Sequence, residues 1–183
     1  MLLLVIANGC ATAQQPALSG GPYVPTPQRV VDAMLDLARV TQNDFVIDLG
    51  SGDGRIVLGA AQKFGARGKG YDIDSELVER SNTAARRMKL DRRVQFEQRD
   101  VLQADIRDAT VVTLYLLPEM MRVLRARLQQ ELRPGTRIVS HDFDFGDWKP
   151  ERTVSVHLDE KYDVTGDWTS TIYLWTVPPR TVR

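Results

Sequence analysis

Asp48-Leu49-Gly50-Ser51-Gly52-Asp53-Gly54-Arg55 is the segment of this 183-residue chain whose residue types and spacing point most directly to chemistry. It follows Phe45-Val46-Ile47, a short continuous apolar run of the kind found in strands buried on both faces. It leads into Arg55 to Phe64, a helical pattern that ends at Gly65. Glycines in a strand-to-helix turn remove the Cβ atoms that would hold a ligand off the backbone. The spacing here is Gly-x-Gly-x-Gly, not the Gly-x-Gly-x-x-Gly of a dinucleotide site. Asp48 and Asp53 flank the glycines, and carboxylates at a helix start repel a pyrophosphate. A ligand carrying an ammonium or a sulfonium would be attracted instead. Nicotinamide dehydrogenase chemistry is disfavoured on both counts.

Two more carboxylates stand where such a ligand would need them. Asp72, in Gly70-Tyr71-Asp72-Ile73-Asp74, closes a second strand read over Gly68 to Ile73 and lies 24 positions after Asp48. That is the interval at which a carboxylate accepts hydrogen bonds from ribose hydroxyls. Asp100 is read as the end of a third strand, with Val101 beside it. There a carboxylate could accept from an adenine amino group while the neighbouring N–H donates to the ring. S-adenosylmethionine carries both cations and no phosphate, so the expected cofactor set is Asp48, Gly50, Ser51, Gly52, Asp72, Asp100 and Val101. The plainer alternative is that these acids are helix caps or turn residues, which is common for Asp. Three in register with the glycine loop favour the cofactor.

The elements that must position these residues alternate. Val30, Val31, Met34, Leu35, Leu37 and Ala38 recur at helical spacing behind Pro27. A helix capped by Ser75 runs to about Met88, strands follow at Val94 to Phe96 and Val111 to Leu116, and a helix spans Pro118 to Leu132. A fifth strand is read at Ile138 to Ser140. After Pro150 the pattern becomes strands without helices, Arg152 to Leu158 and Thr169 to Val177, an antiparallel hairpin at the sheet edge. Strands alternating with helices imply an α/β, Rossmann-like, doubly wound and mostly parallel sheet.

With these motifs the chain resembles the class I, seven-β-strand S-adenosylmethionine-dependent methyltransferases over roughly Tyr23 to Val177. That resemblance implies strand order 3-2-1-4-5-7-6 with the last strand antiparallel. Pro22-Tyr23-Val24-Pro25-Thr26-Pro27, the glycine loop and the closing Thr171-Ile172-Tyr173-Leu174-Trp175 are similar to the ATP-synthase c-subunit lysine N-methyltransferase-like group. In that group the segment before the first helix folds over the cofactor, which would put Tyr23 and Thr26 near its methionine end. Methyltransferases of exocyclic base or glutamine nitrogens carry Asn/Asp-Pro-Pro-aromatic at the fourth strand; this chain has Leu114-Tyr115-Leu116-Leu117-Pro118-Glu119. The family's geometry implies Tyr115 and Pro118 as acceptor-pocket residues, with strand packing an equal account of Tyr115. The favoured acceptor is a protein lysine amine; a small-molecule acceptor and a non-catalytic cofactor-binding module are the alternatives. No catalytic residue is assigned.

Counting narrows the remaining classes. Lys plus Arg and Asp plus Glu both number 24, which argues against a protein built to grip nucleic acid by its phosphates. One cysteine and two histidines leave no material for a multi-cysteine metal site and little for zinc, so no metal is expected. His141-Asp142 is read as a satisfied or exposed strand end, since no nucleophilic Ser or Cys accompanies it. Arg86-Arg87-Met88-Lys89 with Arg92-Arg93 reads as a solvated helix face. Residues 1–21 differ from the rest: Met1 to Ala7 is apolar, and Ala11-Thr12-Ala13 offers a small-x-small cleavage pattern. They are read as a leader and linker before a methyltransferase domain at 22–183, the alternatives being a frayed terminus, a buried strand or a start-site artefact. Export follows in the first case and a cytoplasmic location otherwise; any membrane association would run through this segment. The oligomeric state is not legible.

Overall fold

The computed structural model describes residues 21–158 and 169–180; the leader reading and the linking segment between the closing strands lie outside these residues. Elements run α1 (Gln28–Leu37), β1 (Phe45–Leu49), α2 (Arg55–Phe64), β2 (Arg67–Asp72), α3 (Ser75–Arg87), β3 (Val94–Gln98), a 3-10 turn (Val101–Gln103), β4 (Val111–Leu114), α4 (Pro118–Glu131), β5 (Arg137–His141), β6 (Arg152–His157) and β7 (Thr169–Thr176). The seven strands lie in the order β3-β2-β1-β4-β5-β7-β6. The pairings among β1 to β5 are parallel, and β7 runs antiparallel to both β5 and β6. The fold class and strand order are those the resemblance implied.

Strand alternation decides which residues face which helices. Val30, Val31, Met34 and Leu35 of α1 pack with Val46, Val111, Val139 and Ile172 on one face. Met120, Met121, Leu124 and Leu128 of α4 pack with Ile47, Leu49, Val112, Leu114 and Trp175 on the other. Both faces of β1 and β4 are thus covered, which explains their unbroken apolar runs. The β6 edge is mostly exposed. At the β3 edge the Asn82 amide donates to the Phe96 carbonyl and accepts from the Phe96 N–H, blunting a strand edge that another chain could otherwise extend.

Helix starts needed one correction. Asp74, not Ser75, caps α3, its carboxylate accepting from the N–H groups of Glu76 and Leu77 at 2.8 and 3.3 Å. Ser75 is the first helical residue instead. At the opposite end of the sheet from the glycine loop, the buried Asp44 carboxylate gathers donors from Thr41, Thr110 and the Arg137 guanidinium. Burial alone would raise its pKa, but these donors hold it below the ordinary value. This network pins the starts of β1, β4 and β5, so their far ends are left to carry chemistry. Among the described residues no helix is long and apolar enough to cross a membrane.

Candidate active site

Beyond Leu49 the chain turns through Gly50 to Gly54 into α2. The Gly50 and Ser51 N–H groups both donate to the Tyr71 carbonyl, at 2.8 and 3.0 Å. The Gly52 N–H donates to Asp72 Oδ2 at 2.7 Å. The loop is therefore tied to the end of β2 by the protein's own bonds. Gly50 and Gly52 sit at φ 81 and φ 53, the left-handed region that side chains disfavour. A Cβ at Gly50 would come 2.7 Å from Leu116, and one at Gly52 would come 2.5 Å from the Tyr23 ring.

A cavity of about 530 Å³ opens beside this loop, within the usual range for a small-molecule site. Its wall brings together Tyr23, Thr26, Asp48, Gly50, Ser51, Gly52, Asp72, Asp100, Val101 and Tyr115. Pro118 departs from the expectation. It is the first residue of α4, where a missing N–H costs no helical bond, and Leu116, Leu117 and Met120 face the cavity in its place. Asp100 also stands two residues past the end of β3, not at it. It caps the 3-10 turn by accepting from the Leu102 N–H at 2.8 Å.

Asp48 is 2% exposed, lies between Gly70 and Thr113 in the sheet register, and accepts from the Thr113 hydroxyl at 2.7 Å. Burial pushes its carboxyl up to about 7, against the Thr113 bond, with the negative charges of Asp72 and Asp53 adding to the rise. A cation in the cavity would reverse that shift. The Ser51 hydroxyl is, among the described residues, a buried side-chain polar atom with no hydrogen-bond partner. Such a group is costly unless something else satisfies it.

Asp53 plays a different part from the cation attractor the sequence suggested. The Arg55 guanidinium grips it at 2.9 and 2.6 Å and also donates to the Thr26 carbonyl at 2.8 Å. Burial would raise Asp53, yet Arg55 holds it below the ordinary carboxylate value. The segment over 21–27 is thus strapped across the glycine loop, with the Tyr23 hydroxyl, its pKa raised by burial and then by Asp53, at the latch.

On the far side the Tyr115 ring packs against that of His141, centroids 4.0 Å apart and tilted by 34°, and lies nearly parallel to Phe143 at 6.2 Å. His141 is fully buried, with Nε2 2.8 Å from the Ser170 hydroxyl and Nδ1 3.3 Å from that of Thr26. It joins the strap to β5 and β7 as a satisfied strand-end residue. Of the basic cluster, Arg86, Arg92 and Arg93 line a separate cavity of about 590 Å³ together with Arg67 and Lys69, and no residue is common to the two walls.

A family model described as the ANTKMT methyltransferase domain matches residues 48–152. The chain belongs to this family. It is 37% identical over 157 residues to a protein-lysine N-methyltransferase from Saccharolobus islandicus, covering 85% of this chain and 93% of that protein. It is 37% identical over 148 residues to the adenine nucleotide translocase lysine N-methyltransferase of Mus musculus, covering 79% of this chain and 64% of that protein, so it spans less than two thirds of that relative's length. A solved structure of an RNA methyltransferase from Salinibacter ruber in complex with S-adenosyl-L-homocysteine is 48% identical, with a TM-score of 0.77 over 87% of this chain and 97% of that one. The protein is an S-adenosylmethionine-dependent methyltransferase.

The cavity of this methyltransferase suits the cofactor on physical grounds. Among the described residues its titratable wall is Asp48, Asp53, Asp72, Asp74 and Asp100 against one already paired cation, Arg55, beside Tyr23 and Tyr115. That arrangement favours cations and repels phosphates, and the orphaned Ser51 hydroxyl is there to be answered. Sequence reasoning missed Arg55 as a latch and Phe143 as a wall. Phe143 was findable, because ligands of open α/β sheets bind beyond the carboxyl ends of strands and it lies just past β5.

Proposed function

We propose that this methyltransferase transfers its methyl group to the side-chain amine of a lysine in a protein. The observation that carries the reading is one cavity with two unlike ends, carboxylates around the glycine loop and the aromatic pair Tyr115 and Phe143 beyond it. When bound, S-adenosylmethionine supplies an electrophilic methyl on a sulfonium with a thioether as leaving group. Asp48 would face its ammonium, Asp72 its ribose hydroxyls, and Asp100 with the Val101 N–H its adenine; Tyr23 and Thr26 would close the strap over its methionine end. The chain's remaining task is alignment and exclusion of water, which is worth up to ~7–11 kcal/mol. A lysine amine has a reference pKa of about 10.4 and must lose a proton before it attacks. The apolar wall of Leu116, Leu117, Met120, Tyr115 and Phe143 would disfavour the charged form without a dedicated base.

Both similar methyltransferases named above act, by their names, on lysine in proteins. The Salinibacter structure is described as an RNA methyltransferase, and the acidic wall works against an RNA strand, whose phosphates it would repel. Incubation with methyl-labelled S-adenosylmethionine and whole-cell extract, followed by separation into protein, RNA and small-molecule fractions, decides among acceptors. The expected result is label in protein, recovered after hydrolysis as methyl-lysine. Label confined to RNA or to small molecules would overturn the lysine reading.

A further inference from the structure

The chain leaves β5 through a turn that no role above explains. The Phe143 N–H donates to the His141 carbonyl at 2.8 Å, closing a three-residue turn around Asp142. Asp142 has φ 61, and a γ-turn with positive φ at a residue other than glycine is rare and strained. Four bonds hold it there. The Asp142 N–H donates to the Thr171 carbonyl at 2.7 Å, and its Oδ1 accepts from the Thr171 N–H at 2.8 Å. The Ser140 hydroxyl donates to the Phe143 carbonyl at 2.5 Å, and the closing bond of the turn completes the set. Strain that its surroundings hold in this way points to a placed side chain.

The side chain placed is Phe143. Its ring lines the cavity 6.2 Å from that of Tyr115 at an angle of 19°, and Tyr115 rests on the buried His141. The two rings form a wall beyond the glycine loop. Asp142 lies close enough to raise the Tyr115 hydroxyl, after burial. The exposed Asp144 follows the turn and in the same way acts on Tyr173. Beyond the carboxylates of the glycine loop the cavity thus offers aromatic surface, along which a hydrocarbon stem would lie.

We propose that the strained His141–Phe143 turn is an acceptor-positioning element, holding Phe143 against Tyr115 so that the aliphatic stem of the acceptor lysine lies along the two rings. The proposal rests on the lysine reading above. It makes Phe143 a specificity determinant for an unbranched alkylamine and assigns it no part in holding the cofactor.

Poly-L-lysine serves as the acceptor probe, with labelled S-adenosylmethionine as donor and calorimetry with S-adenosylhomocysteine as an independent readout. Phe143→Ala should raise the KM for poly-L-lysine about 10-fold while the affinity for S-adenosylhomocysteine stays within 2-fold. Phe143→Tyr should restore most of the loss. Asp142→Asn, which tolerates positive φ and keeps an acceptor for the Thr171 N–H, should stay near wild type. Asp142→Ala, which loses that acceptor and fits the turn poorly, should shift KM in the same direction as Phe143→Ala. An unchanged KM in Phe143→Ala, or a fall in S-adenosylhomocysteine affinity that matches the KM rise, would overturn the positioning role alone. A wild-type enzyme that binds S-adenosylhomocysteine yet never labels poly-L-lysine would overturn the lysine reading and this inference together.

Discussion

The two ends of the cavity are built by different means. At the cofactor end the groups come from β1, the glycine loop and the ends of β2 and β3, and they are hydrogen-bonded backbone and carboxylates: Gly52 N–H on Asp72, Asp100 on Leu102, Asp48 on Thr113. At the proposed acceptor end the groups come from the residues after β4, the turn after β5 and the start of α4, and they are rings and aliphatic chains. Charged recognition depends on a few directed bonds, whereas an apolar wall depends on area and exclusion of water. Changes at the first end should therefore act on cofactor affinity, and changes at the second on the acceptor.

The largest effect expected is from Asp72→Ala. It removes the acceptor for the Gly52 N–H and for the Asp74 N–H, as well as the proposed ribose contact. Bonds to a charged acceptor contribute ~1.5–3 kcal/mol each, so S-adenosylmethionine affinity measured by calorimetry should fall by ~100-fold. An unchanged affinity would break the division between the ends. A smaller effect concerns stability. The folded Asp48 carboxyl, at about 7, sits above its unfolded value near 3.9, so the folded state binds more protons between those limits. The ligand-free protein should lose stability as pH rises from ~4 to ~7, and Asp48→Asn should flatten that decline in thermal melts. A steeper decline in Asp48→Asn would refute the burial argument. The smallest is Arg55→Ala, which frees the strap from Asp53 and from the Thr26 carbonyl. Cofactor affinity should weaken by ~5-fold with acceptor KM little changed, because a surface-proximal ion pair contributes modestly.

The same contrast explains what the sequence disclosed. The cofactor end rests on short-range signals: glycines two apart, an Asp at or just past the end of each early strand, an interval of 24 residues. The mostly parallel sheet followed from alternation, and strand order from the resemblance. The acceptor end joins Tyr115, Phe143 and the strap across more than a hundred residues, and neither spacing nor type marks an aromatic residue as wall or core. The resemblance implied Pro118 as wall, yet as the first residue of α4 it leaves the cavity to Leu116, Leu117 and Met120. Asp53 looked like a free anion because Arg55 beside it in sequence gives no sign of folding back onto it. The turn at Asp142 depends on Thr171, 29 residues away, so its strain left no local trace.

The central claim is that a buried carboxylate in an acidic cavity meets the cation of the cofactor. It is tested most directly by calorimetric affinity for S-adenosylmethionine between pH 5.5 and 7.5, below the range in which an α-amino group itself titrates near 7.7–8.0. Binding should ionise Asp48, so affinity should rise by roughly 10-fold per pH unit at the acid end and level off past about 7, with a proton released to buffer on binding below that point. Asp48→Asn should bind more weakly at pH 7.5 and show neither the slope nor the proton release. A wild-type affinity that does not vary with pH, equalled by Asp48→Asn, would contradict the account.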